Sequence, residues 1–382
     1  RPATLVRATA AAQRKGAVDA IGQQTIADEK KYLVQTYARP DMVIESGEGS
    51  TVTDTSGRTY LDFYSGIAVN ALGHGHPAWL SAVNRQASVL CHTSNAFHTR
   101  PQVELAKKLV SSSFADRVFF ANTGTEANEA AIKFARKFAK VHAGLDPYDA
   151  SSAQKAPCEI VSFTGSFHGR TMGSLALTYK DRYRTPFAPL MPHARMLPYG
   201  DVAAARAAVK KGVTAAVVVE PVQGEGGIYP APPGFLEALR QLCDEAGALL
   251  VFDEVQVGLG RTGTLWAHEQ FGVEPDMMSL AKPLAGGLPI GVLLVKERVA
   301  EVMDVGDHGS TFAGNPFVCA AANAVLDVIA EPAFLREVRR KGDLLVDELR
   351  GALGGNSHVR EVRGRGLIVG VQLDAPAAGV VA

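Results

Sequence analysis

An apolar strand that ends in charge is encoded by Leu249-Leu250-Val251-Phe252-Asp253-Glu254-Val255-Gln256. Four consecutive apolar residues, without the alternation of a half-exposed strand, are typical of a strand covered on both faces by helices. We therefore expect Asp253 at the carboxyl edge of a mainly parallel sheet, partly removed from water. A carboxylate in that position needs a cationic partner, which could be a structural ion pair, a metal ion or a protonated heterocycle.

The same kind of apolar run recurs along the chain and alternates with helical patterns, which predicts an open, mainly parallel α/β fold. The other runs are residues 117–121, 159–164, 215–220, 277–280 and 290–295. Before them, residues 51–53 and 59–63 flank the turn sequence Asp54-Thr55-Ser56-Gly57 and predict a pair of strands. After them, residues 316–329 and 333–353 predict two helices.

These patterns divide the chain into four parts. We expect a tail at 1–18, an N-terminal segment at 19–65, a large cofactor-binding domain at 66–300 and a small α+β C-terminal domain at 301–382, with a strand at 366–373. The tail holds several basic residues before the first acidic one, Asp19, and resembles the end of an organelle transit peptide. The alternative is a frayed, unselected terminus.

Composition excludes several classes of protein. The 382 residues contain 39 Lys plus Arg and 39 Asp plus Glu, so the chain lacks the long-range positive field of a nucleic-acid or anionic-membrane binder. The apolar runs have the length of strands and are far shorter than a membrane span. Four cysteines lie far apart, without the paired spacing of a zinc site. We therefore predict no nucleic-acid partner and no membrane partner.

A helix start is encoded at Thr123, because Glu126 follows three residues later as in a capping box. The run of residues 117–121 would deliver this start to the carboxyl edge of the sheet. There, the N–H groups of Gly124 and Thr125 could bind a phosphate. The alternative is an ordinary capped helix.

Lys282 is the only charged residue between Asp276 and Lys296. It follows an apolar strand and precedes a pair of glycines. A lysine in such surroundings is poised to lose its proton and act as a nucleophilic amine. The alternative is a side chain whose tip reaches solvent.

Two further motifs are interpreted as structural. Gly258, Gly260 and Gly263 satisfy the glycine pattern of dinucleotide-binding proteins. The preceding carboxylates would repel a pyrophosphate, however, and only a short helical segment follows, so we do not favour nicotinamide binding. His74-Gly75-His76 is bordered by glycine and proline and predicts a turn, so we expect no metal site. His168 is interpreted as a structural neighbour.

The remaining features together match one cofactor. A phosphate cradle at Gly124 and Thr125, a buried carboxylate at Asp253 and an unpaired lysine at Lys282 are the three attachments that pyridoxal phosphate requires. Asp253 would keep the pyridine nitrogen protonated, and Lys282 would bond to the aldehyde and later move a proton. We therefore predict pyridoxal 5'-phosphate as the cofactor.

Seven stretches resemble the class III aminotransferases of the pyridoxal-phosphate fold type I group, and the similarity runs from about Leu61 to Leu373. These stretches are residues 66–74, 122–128, 167–171, 220–227, 253–256, 281–284 and 308–312. The resemblance implies transamination of acetylornithine with 2-oxoglutarate in arginine biosynthesis, giving N-acetylglutamate 5-semialdehyde and glutamate. It also implies a homodimer with shared active sites. The form of residues 281–289 is most similar to plant and algal members, which implies a plastid location, with the mitochondrion second.

The resemblance also implies a set of cofactor contacts. Lys282 would carry the cofactor, and Asp253 would pair with the ring nitrogen. The other residues expected to bind the cofactor are Gly124, Thr125, Phe167, Glu254, Val255, Gln256 and Thr311. Of these, Val255 and Phe167 would pack on the two ring faces and Gln256 would reach the ring hydroxyl. Thr311 would reach the phosphate across the dimer interface.

For the substrate, the resemblance implies that Arg170 grips the α-carboxylate and that Ser310 lies beside it. Glu225 matches a glutamate that pairs, in the family, with an arginine near the chain end. Family members usually continue for some tens of residues beyond the strand matched by residues 366–373. We therefore expect that the sequence is incomplete or that its small domain is truncated, and that one substrate contact is missing.

Two other functions remain open. One is another ω-aminotransferase, acting on ornithine or 4-aminobutyrate. The other is an inactive binding protein on the same fold.

Overall fold

The computed structural model describes residues 18–377, so the predicted transit-peptide remnant at 1–18 lies almost wholly outside the described residues. The described chain forms two compact units. The first contains the chain up to Ser65 together with Gly73–His76, and the second contains Gly66–Leu72 and the chain from Pro77 onward. The predicted domain boundary between residues 300 and 301 falls within the second unit and stays a prediction.

The first unit is built on a small antiparallel sheet. It contains helix α1 (Ala20–Tyr32) and strands β1 (Ile44–Glu48), β2 (Thr51–Asp54) and β3 (Thr59–Leu61), in the order β1-β2-β3. The predicted pair β2 and β3 is therefore confirmed. Asp54 fixes the turn between them, because its carboxylate accepts the N–H groups of Ser56 and Arg58. A one-turn helix, α2 (Ser65–Ala68), follows.

The second unit has a seven-stranded sheet. Its strands are β4 (Arg117–Ala121), β5 (Glu159–Phe163), β6 (Ala194–Leu197), β7 (Thr214–Val219), β10 (Leu249–Asp253), β11 (Met277–Leu280) and β12 (Gly291–Val295). Two short strands, β8 (Val222–Gln223) and β9 (Tyr229–Pro230), pair separately, as do β13 (Val359–Arg365) and β14 (Ile368–Leu373). The large sheet has the order β4-β12-β11-β10-β7-β5-β6, and only β12 runs antiparallel to its neighbours. The mainly parallel α/β fold is confirmed.

Helices alternate with most of these strands along the chain. They are α3 (Pro77–Ala87), α4 (Arg100–Ser111), α5 (Gly124–His142), α6 (Met172–Leu177), α7 (Asp181–Arg184), α8 (Val202–Ala208), α9 (Phe235–Ala246), α10 (Glu297–Ala300), α11 (Pro316–Ile329) and α12 (Pro332–Leu353). Single turns of 3₁₀ helix occur at Ala150–Gln154, Thr185–Phe187, Ala267–Phe271 and Lys282–Ala285.

The core explains why β10 is apolar throughout. Leu249 and Val251 belong to an apolar cluster with the buried face of α5, whereas Leu250 and Phe252 belong to a second cluster with α9. Both faces of the strand are therefore covered. Burying each such side chain stabilises the folded state by about 1.5–3 kcal/mol relative to leaving it exposed. This burial fixes the strand, and with it the position of Asp253 at the strand end.

The strands that the sequence analysis missed are short or partly polar. β6 contains Arg195 at the sheet edge, and β13 carries alternating charges on a surface hairpin. Within residues 18–377, no single helix is long and apolar enough to cross a membrane. The pair α11 and α12 passes that test only when taken together, and it is bent by 68°.

Candidate active site

Asp253 ends β10 and lies in register with Ser279 of the parallel neighbour β11. It is buried, and its carboxylate accepts hydrogen bonds from His168 Nδ1 and Asn128 Nδ2, both at 2.8 Å, and from the Val255 N–H at 3.0 Å. Burial alone would raise the pKa of Asp253, but the hydrogen bond and charge of His168, with the other donors, bring that pKa below its ordinary value. Asp253 is therefore held as a carboxylate.

His168 is the main hydrogen-bond partner of this carboxylate, with its Nδ1 at 2.8 Å. Burial opposes its protonation, yet the hydrogen bond and charge of Asp253, with the charge of Glu220, raise the pKa of the imidazole. Its Nε2 is buried and has no hydrogen-bond partner in the described part of the chain. Asn128 donates both to Asp253 and to the His168 carbonyl, so α5 fixes the imidazole and the carboxylate together.

Lys282 begins a 3₁₀ turn directly after β11, at the same sheet edge as Asp253. Its amine makes no hydrogen bond with any residue between 18 and 377. Burial lowers the pKa of Lys282, and the charges of Asp253 and Glu220 offset only part of that effect. A larger share of this amine is therefore unprotonated than of an exposed lysine.

The start of α5 lies against the segment that follows Asp253. Thr123 caps the helix by accepting the Glu126 N–H, as predicted. A side chain at Gly124 would come within 2.7 Å of Val255 Cγ1, so only glycine allows this approach without a shift. The N–H groups of Gly124 and Thr125 have no acceptor among the described residues, as expected in the first turn of a helix. They are suited to bind an anion.

Glu220 holds two loops at the same edge. Its carboxylate accepts the N–H of Phe167 at 3.1 Å and the N–H of Gly224 at 3.2 Å. Burial, with a smaller contribution from Asp253, raises the pKa of Glu220 to about 7, although the charge of His168 opposes this. Gln256 lies against Gly224. A Cβ atom at Gly224 would come within 2.0 Å of Gln256 Oε1.

A half-exposed cluster of charges continues from Phe167. The guanidinium of Arg170 lies 3.4 Å from the ring centre of Tyr183, and the Arg170 N–H donates to Thr125 Oγ1. On the other side, Glu225 accepts hydrogen bonds from Lys180 Nζ at 2.6 Å and from the Tyr183 hydroxyl at 3.2 Å. In the described chain Glu225 therefore pairs with Lys180.

Three predicted residues lie apart from this arrangement. The carboxylate of Glu254 accepts the N–H groups of Ala267 and His268 and the Nδ1 of His268. It therefore caps the turn at Ala267–Phe271, and we no longer expect Glu254 to bind the cofactor. Ser310 Oγ accepts a hydrogen bond from Asn122 beside the start of α5. Thr311 is exposed and lines a separate groove.

Four residues of this arrangement are not predicted from the sequence: Asn128, Glu220, Lys180 and Tyr183. His168 is predicted only as a structural neighbour. Asn128 did carry a signal, because it is a polar residue on the otherwise apolar face of α5. Glu220 also carried a signal, because it directly follows an apolar strand, much as Asp253 stands at the end of β10. Lys180 and Tyr183 carry no comparable signal, because a charged or aromatic residue in a short surface segment is ordinary.

Residues 33–380 match the family model of class-III aminotransferases. The chain belongs to the class-III aminotransferase family. Among its relatives is the mitochondrial acetylornithine aminotransferase of Alnus glutinosa, which is 55% identical. The alignment covers 98% of this chain and 81% of that relative. The acetylornithine aminotransferase of Methanocaldococcus jannaschii is 46% identical and covers 92% of this chain and 86% of its own length.

Solved aminotransferase structures share the fold. An ornithine aminotransferase from Toxoplasma gondii superimposes with a TM-score of 0.86 at 35% identity, covering 92% of this chain and 82% of its own. A second structure of that enzyme shows partial occupancy of PLP at the active site. The acetylornithine aminotransferase of Elizabethkingia anophelis gives a TM-score of 0.81 at 32% identity, covering 94% of this chain and 86% of its own.

Proposed function

We propose that this aminotransferase moves the δ-amino group of acetylornithine to 2-oxoglutarate, in the arginine biosynthesis that its relatives' substrate implies. Relatives named for this substrate are 44–55% identical over at least 92% of the chain. The observation that carries the proposal is the placement of Asp253 and Lys282 at one sheet edge, where Asp253 is a carboxylate with a lowered pKa and Lys282 is an amine whose pKa burial lowers.

The residues at this edge fit pyridoxal phosphate. Gly124 brings the anion-binding start of α5 against Val255, the buried Asp253 stays ionised, and Lys282 has no partner within residues 18–377. When bound, the cofactor supplies an aldehyde that condenses with amines and a protonated ring that accepts electrons. The proposed cofactor-binding set is Gly124, Thr125, Phe167, Asp253, Val255, Gln256, Lys282 and Thr311.

Each proposed residue has a defined task. Asp253 holds a proton on the pyridine nitrogen, and His168 and Asn128 keep Asp253 oriented and charged. Lys282 would accept the proton that leaves the δ-carbon of acetylornithine and donate it to the cofactor, which its lowered pKa favours. Arg170 binds the α-carboxylate, since its guanidinium forms no ion pair with the described residues. Ser310 is proposed to lie beside the substrate.

We propose a homodimer in which Thr311 reaches the partner's phosphate site. Thr311 is exposed here, and it lines a groove together with Asn95 and Phe119. Sedimentation of the purified protein at several concentrations tests this assembly, and a monomer at all of them would reject it.

We propose a plastid location from the plant-like form of residues 281–289, with the mitochondrion second. The Alnus glutinosa relative is named mitochondrial. A fluorescent protein fused to the C-terminus of the full-length protein distinguishes the two organelles by microscopy.

Ornithine is the second candidate amino donor, because ornithine aminotransferases are among the similar structures. The test is amine transfer to 2-oxoglutarate from acetylornithine, ornithine and 4-aminobutyrate, compared as kcat/KM. Acetylornithine should be preferred by at least about tenfold, and a preference for ornithine would overturn the proposal. A purified protein without visible cofactor absorbance and without transfer would instead favour the binding-protein alternative.

A further inference from the structure

A cavity of about 550 Å³ opens on the partly exposed face of α5. Four basic residues of this helix line it: Lys133, Arg136, Lys137 and Lys140. They are spaced three or four residues apart, so they form one row that extends for about 10 Å along the helix. None of the described residues that line the cavity belongs to the proposed cofactor or substrate sets. The cavity is therefore a second candidate binding site.

Hydrogen bonds to carbonyl groups hold three of these cations at the cavity wall. Lys133 Nζ donates to the carbonyl of Asp307 at 3.1 Å, and Lys140 Nζ donates to the carbonyl of Pro147 at 3.3 Å. Arg136 donates to two further carbonyls of the backbone. A carbonyl group carries no net charge, and none of these three cations forms an ion pair within residues 18–377. The cavity therefore presents three unpaired positive charges.

The fourth cation, Lys137, is paired. Its Nζ donates to the carboxylates of Asp304 and Asp307, at 2.7 and 2.5 Å, and to the hydroxyl of Tyr148 at 2.8 Å. Burial alone would lower the pKa of Lys137, but these hydrogen bonds and the charge of Asp307 raise it. Asp307 is the only acidic residue among the described residues that line the cavity. Because its charge is matched by Lys137, it does not cancel the other cations.

Much of the remaining cavity wall is apolar or aromatic. Pro147, Ala156, Pro157 and Met303 line it together with Tyr148. Tyr148 is 65% exposed, so part of its ring is open to a ligand. Flat heterocyclic bases stack readily on such rings. The cavity therefore combines a row of cations with a surface that suits a base.

We propose that this cavity binds a nucleoside triphosphate. The phosphate chain would pair with Lys133, Arg136 and Lys140, and the base would pack against Tyr148. A ligand with a single charge would meet only part of the row, whereas a triphosphate chain can extend along it. The volume of the cavity lies in the range of sites that enclose small organic ligands. The inference goes beyond the proposed function and does not depend on it.

Calorimetry with ATP, in the absence of divalent cations, tests the inference on the protein loaded with pyridoxal phosphate. The loaded cofactor keeps ATP away from the proposed phosphate site at the start of α5. ATP should bind saturably, and ADP and AMP should each bind about 3- to 10-fold more weakly than the nucleotide with one more phosphate. No saturable binding up to about 1 mM, or equal binding of ATP and AMP, would overturn the inference.

Inorganic tripolyphosphate separates the contribution of the base from that of the phosphate chain. It should bind at least about 5-fold more weakly than ATP, because it has nothing to stack on Tyr148. Tyr148→Phe keeps the ring and should hold ATP affinity within about 3-fold of the wild type, whereas Tyr148→Leu should weaken it by about 5-fold. Tripolyphosphate that binds as tightly as ATP would overturn the assignment to a nucleotide.

Two charge variants should change the affinity for ATP in opposite directions. Lys140→Met should weaken binding by about 10-fold, because it removes a charged donor. Asp304→Asn should tighten binding, because it releases Lys137 from one of its two carboxylates. The exposed Lys211→Met is the matched control and should stay within about 2-fold. Unchanged affinity in Lys140→Met, or weaker binding in Asp304→Asn, would overturn the inference.

Hydrogen exchange with and without ATP gives the location of binding. ATP should slow exchange of the backbone N–H groups at residues 145–149 and 303–308, which adjoin the row of cations. Protection confined to residues 123–126 would place ATP at the proposed cofactor-phosphate site and would reject the cavity as its binding site.

Discussion

Asp253 and Glu254 are adjacent buried carboxylates, yet they belong to different parts of the molecule. Both accept a hydrogen bond from an imidazole Nδ1 and from at least one backbone N–H. Successive side chains of an extended segment point in opposite directions. Asp253 lies on the side where its charge raises the pKa of Lys282 and of Glu220, whereas Glu254 caps a 3₁₀ turn. The comparison teaches that burial and hydrogen bonding alone do not identify a catalytic carboxylate. What distinguishes Asp253 from Glu254 is the unpaired amine of Lys282 at the same sheet edge.

Lys282→Ala removes that amine and should have the largest effect. Amine transfer over many turnovers should fall by at least about 10⁴-fold, because no other described lysine ends a strand at this sheet edge. The visible absorbance of the lysine-bound cofactor should also disappear. Borohydride treatment followed by peptide mapping provides the check. A reduced cofactor adduct on another lysine of this variant would refute the assignment.

Asp253→Asn tests the carboxylate that lies at the same sheet edge as Lys282. The amide removes the negative charge that His168 and Asn128 now contact, so the ring nitrogen would lose its proton. The cofactor should stay bound while proton abstraction slows by about 10²- to 10⁴-fold, measured as a single-turnover rate with acetylornithine. Near wild-type rates would show that Asp253 is only a structural partner of His168.

The positions of Asp253 and Lys282 could be predicted because each depends on local sequence, an apolar strand followed by a charge. Their partners could not. His168 and Asn128 lie 85 and 125 residues from Asp253 along the chain, and only tertiary packing brings them together. The alternation of an extended chain could have excluded Glu254. For strands, prediction succeeded where burial makes the sequence apolar, and failed for the partly exposed β6 and β13.

Arg170→Leu tests the half-exposed end of the site. Arg170 can bind the carboxylate that lies far from the reacting carbon, which is the α-carboxylate of acetylornithine and the γ-carboxylate of glutamate. A bidentate ion pair there should contribute about 2 to 4 kcal/mol, so kcat/KM should fall by roughly 30- to 1,000-fold for both substrates. Half-reactions measured separately give the two values. Arg206→Leu, on the exposed side of α8, should leave both unchanged. A loss confined to one substrate would mean that Arg170 does not hold the group that they share.

Glu220→Gln tests the buried acid that interacts electrostatically with His168, Asp253 and Lys282. A carboxyl whose pKa rises from 4.5 to about 7 on folding binds more protons in the folded state within that window. The free energy of unfolding therefore falls as pH rises from about 4.5 to about 7, by up to about 3 kcal/mol. The variant should lose this part of the pH dependence, measured by urea unfolding across the window. An unchanged slope would show that Glu220 is ionised throughout.

Glu254→Gln should have the smallest effect, and one that contrasts with Asp253→Asn. A glutamine can present only one oxygen to the three donors that Glu254 now accepts, from the Ala267 N–H, the His268 N–H and His268 Nδ1. At least one buried donor would be left unpaired, at a cost of about 1 to 3 kcal/mol of stability. Cofactor affinity, measured by fluorescence titration, should stay within about 2-fold, because the side chain does not face the site. Weaker cofactor binding at unchanged stability would return Glu254 to the cofactor-binding set, and would mean that neither carboxylate at the end of β10 is purely structural.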